Sequence, residues 1–432
     1  MVNLIGMLSH LKPFKVLVAG DFMLDRYTHG KVGRISPEAP VPVLHVQREH
    51  SLPGGAGNVA LNLASLGAQV FALGRIGDDL EGEHLKRLLF DQDINAQGLL
   101  TENNYHTPVK NRLMGGSQQM LRIDFEHTHP IADDLVRNVA LPDCDLIAIS
   151  DYNKGFLTPT VLAALIKHGK ELGIPIIVDP KGEDFSKYKG ATLIKPNLKE
   201  AYAASKLPLD SSLNDVAKAL FNQSEAQQIL ITRSSEGLSL FSDDNTHTHF
   251  PVRCREVQDV TGAGDTVLAM LCMALANDLE LASAAHLSNV AAGLAIERLG
   301  CAKLSLADIA ERLLELDVKN KVFDEQHLYA LEQTLQGKSF TVLGIDSTFG
   351  MTTELFLTLK KLSLNQEKLI LFIRDDEPDS VFIELLASLH EVDFIVIQQS
   401  SLSQLCNRMH PTHSYLFEDG LLQVLDSVTV LI

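Results

Sequence analysis

The chain has 432 residues, of which 45% are hydrophobic and 21% charged, with a formal net charge of −18. That length gives more than one domain but few, and the composition is that of a globular protein with ample core. The acidity excludes nucleic acid as the main partner, because phosphate backbones are met by basic faces, while a local basic pocket for a small phosphate stays possible.

In chain order, "KVLVAGD" (15–21) is short, β-branched and apolar, and reads as a first strand. It runs on into "VAGDFMLDRY", which sets Asp21 and Asp25 just beyond the strand, where carboxylates suit sugar hydroxyls. "PVPVLHVQREHSL" (40–52) and "YHTPVKNRLMGGSQQMLRIDFE" (105–126) read instead as antiparallel strands, the second with a Gly115-Gly116 turn. They are expected to form a small β lid, spanning about 29–52 and 105–126, that closes over the main sheet and excludes water. Between them, "LPGGAGNVALNLASLGAQVFALG" runs a glycine-rich turn into a helix and then a strand.

"LIAISD" (146–151), "IPIIVDP" (174–180), "ATLIKPN" (191–197) and "QQILITR" (227–233) continue the apolar strands. "TPTVLAALIKHGKELG" (158–173) lies between two of them as a helix with Thr-Pro at its start and Gly at its end. Strand and helix in alternation predict a doubly wound, mostly parallel α/β sheet with ligands beyond the carboxyl ends of its strands. After about residue 315 the texture changes. "SFTVLGIDS" (339–347), "KLILFIRDD" (368–376) and "VDFIVIQQS" (392–400) alternate with helices, predicting a second, smaller α/β domain. The expected domains are 1–318 and 326–432.

The five cysteines (144, 254, 272, 301, 406) form no CxxC, so neither a disulfide framework nor a zinc site is expected. No apolar run reaches the ~18 residues a bilayer requires, and no signal-peptide pattern opens the chain. A cytoplasmic, reducing location is the expectation.

The chemistry concentrates in "DVTGAGDT" (259–266), which opens the apolar helix "VLAMLCMALA". Glycines at a helix start let a phosphate approach unpaired N–H groups. Asp265 stands beside them, able to take a proton from an alcohol, which is the equipment phosphoryl transfer needs. "LPGGAGN" puts Asn58 at a second glycine turn, suited to sugar hydroxyls. Neither a GxxxxGK[ST] loop nor a GxGxxG dinucleotide fingerprint occurs, which weighs against a nicotinamide-dependent oxidoreductase.

"GGAGN" (54–58) and "DVTGAGDT", about 200 residues apart, resemble the paired signatures of the ribokinase-like (PfkB) carbohydrate kinases. The resemblance covers residue 15 to about 312 and implies ATP with Mg²⁺ as cofactors. It implies that Asp265 is the catalytic base, that the backbone of Gly262, Ala263 and Gly264 is the anion hole, and that Asp25, Gly54, Gly55 and Asn58 meet the sugar. "KPNLKE" and "TRSSEG" would put Asn197, Leu198, Lys199, Glu200, Thr232, Arg233, Glu236 and Gly237 near ATP, with Asn289 by the adenine.

"RISPEAPVPV", "DYNKGFLT" and "DPKGEDFSKYKGATLIKPNLKE" look like the heptose 7-phosphate kinases of lipopolysaccharide core synthesis. That likeness implies phosphorylation at the anomeric hydroxyl of D-glycero-β-D-manno-heptose 7-phosphate. Asp151 joins the substrate side, and Arg34, Lys110, Arg112, Arg122, Lys154 and Lys181 are candidates for the sugar's own phosphate. The alternatives are another PfkB sugar kinase, for ribose, fructose 6-phosphate or a nucleoside, or a non-catalytic sensor on the same fold. A homodimer through the lid is what the family implies.

Many relatives of such kinases carry a nucleotidyltransferase domain that opens FDxLHxGH, with a later ISST segment. Here "TVLGIDSTFGMTTELFL" (341–357) sets Gly350 and Thr353 about where the histidines belong, and "LLQVLDSVTVLI" follows "FEDG" where ISST would come. Residues 326–432 are therefore expected to be a folded, catalytically silent, degenerate Rossmann-like domain, and a separate nucleotidyltransferase partner is expected for the next step.

Overall fold

Strands that are apolar on both faces are stable only where both faces are covered. In the computed structural model they lie side by side under helices. The structure describes every residue except 1–6, 9–10, 117, 138, 243–246, 253–256, 299, 301–302, 317–320, 325–327, 365–366, 376, 398–400 and 426–432. The chain forms two compact units, Leu11–Ser305 and Leu306–Ile432, the latter grouped with Met1–His10. The sequence boundary at 318–326 thus falls too late, since the helix Leu306–Leu316 belongs to the second unit.

The first unit begins with β1 (Lys15–Gly20), β2 (Phe22–Ile35), β3 (Pro42–Gly55), β4 (Gln69–Gly77), β5 (Asn95–Glu102), β6 (Val109–Gly115) and β7 (Gln118–Phe125). It continues with β8 (Leu146–Ser150), β9 (Ile176–Asp179), β10 (Leu193–Ile194), β11 (Gln228–Thr232), β12 (Leu238–Ser242) and β13 (His247–Phe250). Among the described residues the main sheet runs β13-β12-β11-β10-β9-β8-β1-β4-β5. All neighbours from β11 to β5 are parallel, and β12 and β13 close one edge antiparallel. The sequence suggests a strand over "HFPVRCREV" (249–257), but the observed β13 ends at Phe250, and residues 253–256 lie outside the described residues.

Strand order reverses at β1 and β8, and open α/β sheets bind ligands at such a reversal. The core on one face packs Ile147, Ile149, Val178, Ile194 and Ile231 against Leu162 and Leu165 of the helix Pro159–Leu172. Thr158 caps that helix by accepting from the Val161 N–H, and Gly173, at φ 69°, ends it in the left-handed region. The helix Ala263–Ala276 is apolar all round because Val267 to Ala274 are all buried.

The lid is a separate sheet, ordered β3-β2-β6-β7. It begins earlier than expected. β2 starts at Phe22, directly after β1, so Asp25 lies inside a 14-residue lid strand rather than at a sheet end. β2 pairs antiparallel with β3 and parallel with β6, and β6 turns at Gly115 and Gly116 into β7.

In the second unit, β14 (Val322–Phe323), β15 (Phe340–Ile345), β16 (Lys368–Ile373), β17 (Phe394–Ile397), β18 (His413–Glu418) and β19 (Leu421–Val424) form the order β14-β17-β16-β15-β18-β19. All neighbours are parallel except β18 with β19. Helices Thr353–Ser363 and Ser380–Ser388 pack Leu355, Leu359, Phe382 and Leu386 on Leu343 and Leu371.

Candidate active site

Both glycine signatures open helices, and the two helix starts meet. Gly55 precedes the helix Ala56–Ser65 at φ 58°, and Gly262 precedes Ala263–Ala276 at φ 79°, both conformations in which a side chain is strained. The first bond of the second helix runs from Thr266 N–H to the Gly262 carbonyl, 3.0 Å. Ahead of it the Ala263 N–H is spent on the Val260 carbonyl at 3.3 Å, so of the expected Gly262-Ala263-Gly264 anion hole it is the Gly264 N–H, joined by that of Asp265, that has no partner within the helix. Gly264 is exposed and Asp265, in the same turn, is buried.

Asn58 donates to Asp265 Oδ2 at 2.7 Å, so residues 207 positions apart share one contact. One turn on, Asn62 donates to the Asn58 carbonyl (2.9 Å) and to its Oδ1 (3.4 Å), which aims the Asn58 amide nitrogen at the carboxylate. Tyr152 OH donates to Asp265 Oδ1 at 2.9 Å. Burial raises the Asp265 pKa, while the bonds from Asn58 and Tyr152 and the charge of Lys195 pull it back down.

Beside the helix start, Lys195 Nζ is 3.0 Å from Asp179 Oδ1, and both lie at the ends of parallel strands. A β-carbon on Gly264 would sit 3.6 Å from Lys195 Nζ, so this ammonium flanks the exposed N–H groups. Burial pushes Asp179 up to about 7 despite Lys195. On the lid, Arg112 Nη1 reaches Asp25 Oδ1 at 2.6 Å, and a side chain at Gly54 would strike Asp25 Oδ2. Lys110, whose pKa is lowered by burial, lies 5.2 Å over the Tyr152 ring. The arrangement is a buried carboxylate beside bare N–H groups and a lysine, with Asp25 on β2 and Lys110 and Arg112 on β6 of the lid.

The profile described as pfkB family carbohydrate kinase matches residues 14–308. The chain belongs to that family. Among curated proteins it is 44% identical over 322 residues to Bifunctional protein HldE of Citrifermentans bemidjiense, covering 72% of this chain and 66% of that protein. It is 38% identical over 416 residues to the protein of the same name from Geotalea uraniireducens, covering 91% and 85%. Among solved structures, Escherichia coli phosphofructokinase-2 in complex with substrates and products superposes with a TM-score of 0.57 at 22% identity, over 71% of this chain and 99% of that one. The last likeness is one of fold.

In this PfkB kinase several residues singled out from sequence are occupied elsewhere. Asp21 accepts from the N–H groups of Tyr152 (2.9 Å), Lys154 (3.0 Å) and Phe156 (3.3 Å), so it pins the loop after β8 instead of facing a sugar. Asp151 accepts from Tyr188 (2.6 Å) and Lys187 (2.7 Å), and its other oxygen takes the Asn153 N–H, so the substrate role read for it does not match its bonding. Lys181 pairs with Glu200 at 2.7 Å, which puts it among the KPNLKE residues and not with the sugar side. Lys154 pairs with Glu126 at the end of the lid, and exposed Arg122 pairs with Asp124. Arg34 is exposed on β2.

The KPNLKE and TRSSEG segments, expected on the nucleotide side, are neighbours in the fold. Asn197 and Thr232 bridge in parallel, and the Thr232 N–H donates to the Pro196 carbonyl. Asn197 and Glu200 form a capping box on the helix Leu198–Ser205, whose first residues are Leu198 and Lys199. Arg233 pairs with Glu236, and Gly237 holds φ 89° where a β-carbon would strike the Phe250 carbonyl. Asn289 uses its Nδ2 on the Phe250 and Pro251 carbonyls, anchoring that segment.

Sequence reasoning missed Tyr152, Asp179 and Lys195. A lysine closing the apolar run "ATLI" was the available signal for Lys195, since a lysine is buried only with a partner. Among the described residues no helix is long and apolar enough to cross a membrane.

Proposed function

We propose that this PfkB kinase transfers the γ-phosphoryl group of ATP to the anomeric hydroxyl of D-glycero-β-D-manno-heptose 7-phosphate, giving the 1,7-bisphosphate. The observation that carries the reading is the Asp265 carboxylate, buried and bonded to Asn58, beside the exposed start of its own helix. Asp265 takes the proton of the hydroxyl as its oxygen attacks the γ-phosphorus and ADP departs. The N–H groups of Gly264 and Asp265 and the Lys195 ammonium face the charge that builds on the transferring group. Asp179 and Glu200, the latter now paired with Lys181, would supply carboxylates for a Mg²⁺ ion. Burial pushes the Asp179 carboxyl up to about 7 and the Glu200 charge adds to it, so a cation would be welcome there. Mg²⁺ would offset phosphate charge.

The acceptor reading rests on the "RISPEAPVPV" lid segment and on the basic groups at the lid base. Lys110 has no ion pair among the described residues, and with Arg112, which meets Asp25 beside it, it suits the phosphate of a sugar phosphate. The same family likeness and the exposed Val32, Ile35, Leu121 and Phe125 of the lid support a homodimer through that sheet.

The second unit is proposed to lack nucleotidyl transfer. Gly350 lies in the connection from β15 to the helix Thr353–Ser363 and Thr353 is that helix's first residue, and neither carries charge. The ends of β15, β16 and β18 instead gather Asp346 and Glu418 around one arginine, Arg374, with Asp375 beside them accepting the Ser347 N–H. Three carboxylates against one cation oppose a triphosphate. "FEDG" forms the β18–β19 turn, and residues 426–432 of the segment in the ISST position lie outside the described residues.

Two assays test the reading. Asp265→Asn is expected to lower kcat with heptose 7-phosphate at least ~10²-fold while ATP binding survives, and near-normal turnover would remove Asp265 as base. With ATP and heptose 1-phosphate the chain is expected to release no pyrophosphate. Steady release would restore the transferase.

A further inference from the structure

Tyr152 sits between the base and the lid. Its hydroxyl donates to Asp265 Oδ1 at 2.9 Å. Its ring lies under the Lys110 ammonium of β6 at 5.2 Å and touches the space a β-carbon on Gly55 would occupy, at 3.5 Å. Its backbone N–H is held by Asp21 at 2.9 Å. The loop that carries it is fixed from the other side by Arg75, which is buried, pairs with Glu102 at 2.8 Å, and donates to the Lys154 carbonyl at 2.6 Å and the His129 carbonyl at 2.8 Å. A side chain this thoroughly positioned, with its one polar atom spent on the carboxylate, is placed to control that carboxylate.

We propose that Tyr152 is a positioning residue for phosphoryl transfer, one that holds the Asp265 carboxylate in its reactive orientation and keeps it ionised. The proposal rests on the reading of Asp265 as the base. The charged and titratable groups around the pair are Lys195 and Asp179 from the ends of the parallel strands, Asp25 and Lys110 from the lid, and the phenol itself. Of these, only the phenol, with the Asn58 amide, bonds directly to Asp265. A hydrogen bond to a carboxylate favours the ionised form, so its loss raises the carboxyl pKa and the base stays protonated to higher pH. Tyr152 itself stays a neutral donor, since burial and the Asp265 charge raise its pKa well above the ordinary phenol value.

The test uses the full chain with heptose 7-phosphate and ATP, comparing wild type, Tyr152→Phe and Asp265→Asn across pH. For Tyr152→Phe the acidic limb of kcat/KM is expected to move up by about one pH unit, with kcat at neutral pH lower by roughly 10-fold and the KM for ATP unchanged. Asp265→Asn is expected to lose turnover together with that limb. If Tyr152→Phe keeps the wild-type limb and kcat while Asp265→Asn is inactive, the proposal fails and the base assignment stands. If Asp265→Asn retains turnover and limb, both fall. Should Tyr152→Phe fail to fold, 3,5-difluorotyrosine at position 152 decides. This more acidic phenol is a stronger donor and is expected to move the limb to lower pH, and an unmoved limb overturns the proposal.

Discussion

Gly264→Ala separates what the glycine turn does for the reaction from what it does for the fold. Gly264 is the second residue of the helix Ala263–Ala276, and the nearest atoms to an added β-carbon are Lys195 Nζ at 3.6 Å and Asp179 Oδ2 at 4.0 Å. Those are ordinary contact distances, so the methyl group fits. Alanine is also favoured over glycine in a helix by roughly 0.5–1 kcal/mol, and the variant should melt at or slightly above the wild-type temperature. The methyl group nevertheless stands between the exposed N–H groups and the Lys195 ammonium, where the transferring phosphoryl group must lie. Losing one such donor typically costs ~10²–10³ in kcat, or about 3–4 kcal/mol. Gly262→Ala gives the contrast. At φ 79° its methyl is strained, and the variant should lose at least ~1 kcal/mol of stability. Calorimetry and initial rates on both variants suffice. A Gly264→Ala protein that is destabilised, or that turns over at the normal rate, would refute the assignment of the bare N–H groups to phosphate.

Arg75→Met leaves Glu102 buried without its partner and frees two backbone carbonyls. Roughly 3–5 kcal/mol of stability should go, readable by urea denaturation, with part of it restored in Arg75→Met, Glu102→Leu. Asp179 gives a pH dependence of defined sign. Its folded pKa of about 7 exceeds the ordinary 3.8, so between those values the folded chain keeps a proton that the unfolded chain has lost. Its contribution to stability is full at low pH and lost as pH rises through 7. Asp179→Asn should therefore gain on wild type from pH 5 to pH 7, by at most ~1.4 kcal/mol per unit, in paired thermal melts. A difference that does not change with pH contradicts the raised pKa.

How much of this was legible beforehand depends on how local each signal is. The parallel strands announce themselves as apolar runs, and the Thr-Pro and Gly that bound the helix 159–172 act within a turn of their own positions. The meeting of Asn58 with Asp265 was legible only through the paired glycine signatures, since nothing local links positions 207 apart. Side chains whose meaning depends on a distant partner were misread. Asp151 and Lys181 look free in sequence, yet Tyr188, Lys187 and Glu200 occupy them. Asp25 looks like a strand-end acid because the bend at Asp21 between β1 and β2 leaves no glycine or proline mark after Gly20. Tyr152 was invisible because an aromatic residue in a polar loop carries no signal until the loop is folded against the base.

The most direct measurement is ATP turnover against a panel of heptose 7-phosphate, ribose, fructose 6-phosphate and adenosine, with the product weighed by mass spectrometry. The expected result is a kcat/KM for heptose 7-phosphate well above the others and a product carrying two phosphates on one heptose. A marked preference for ribose or adenosine would contradict the assignment of the acceptor.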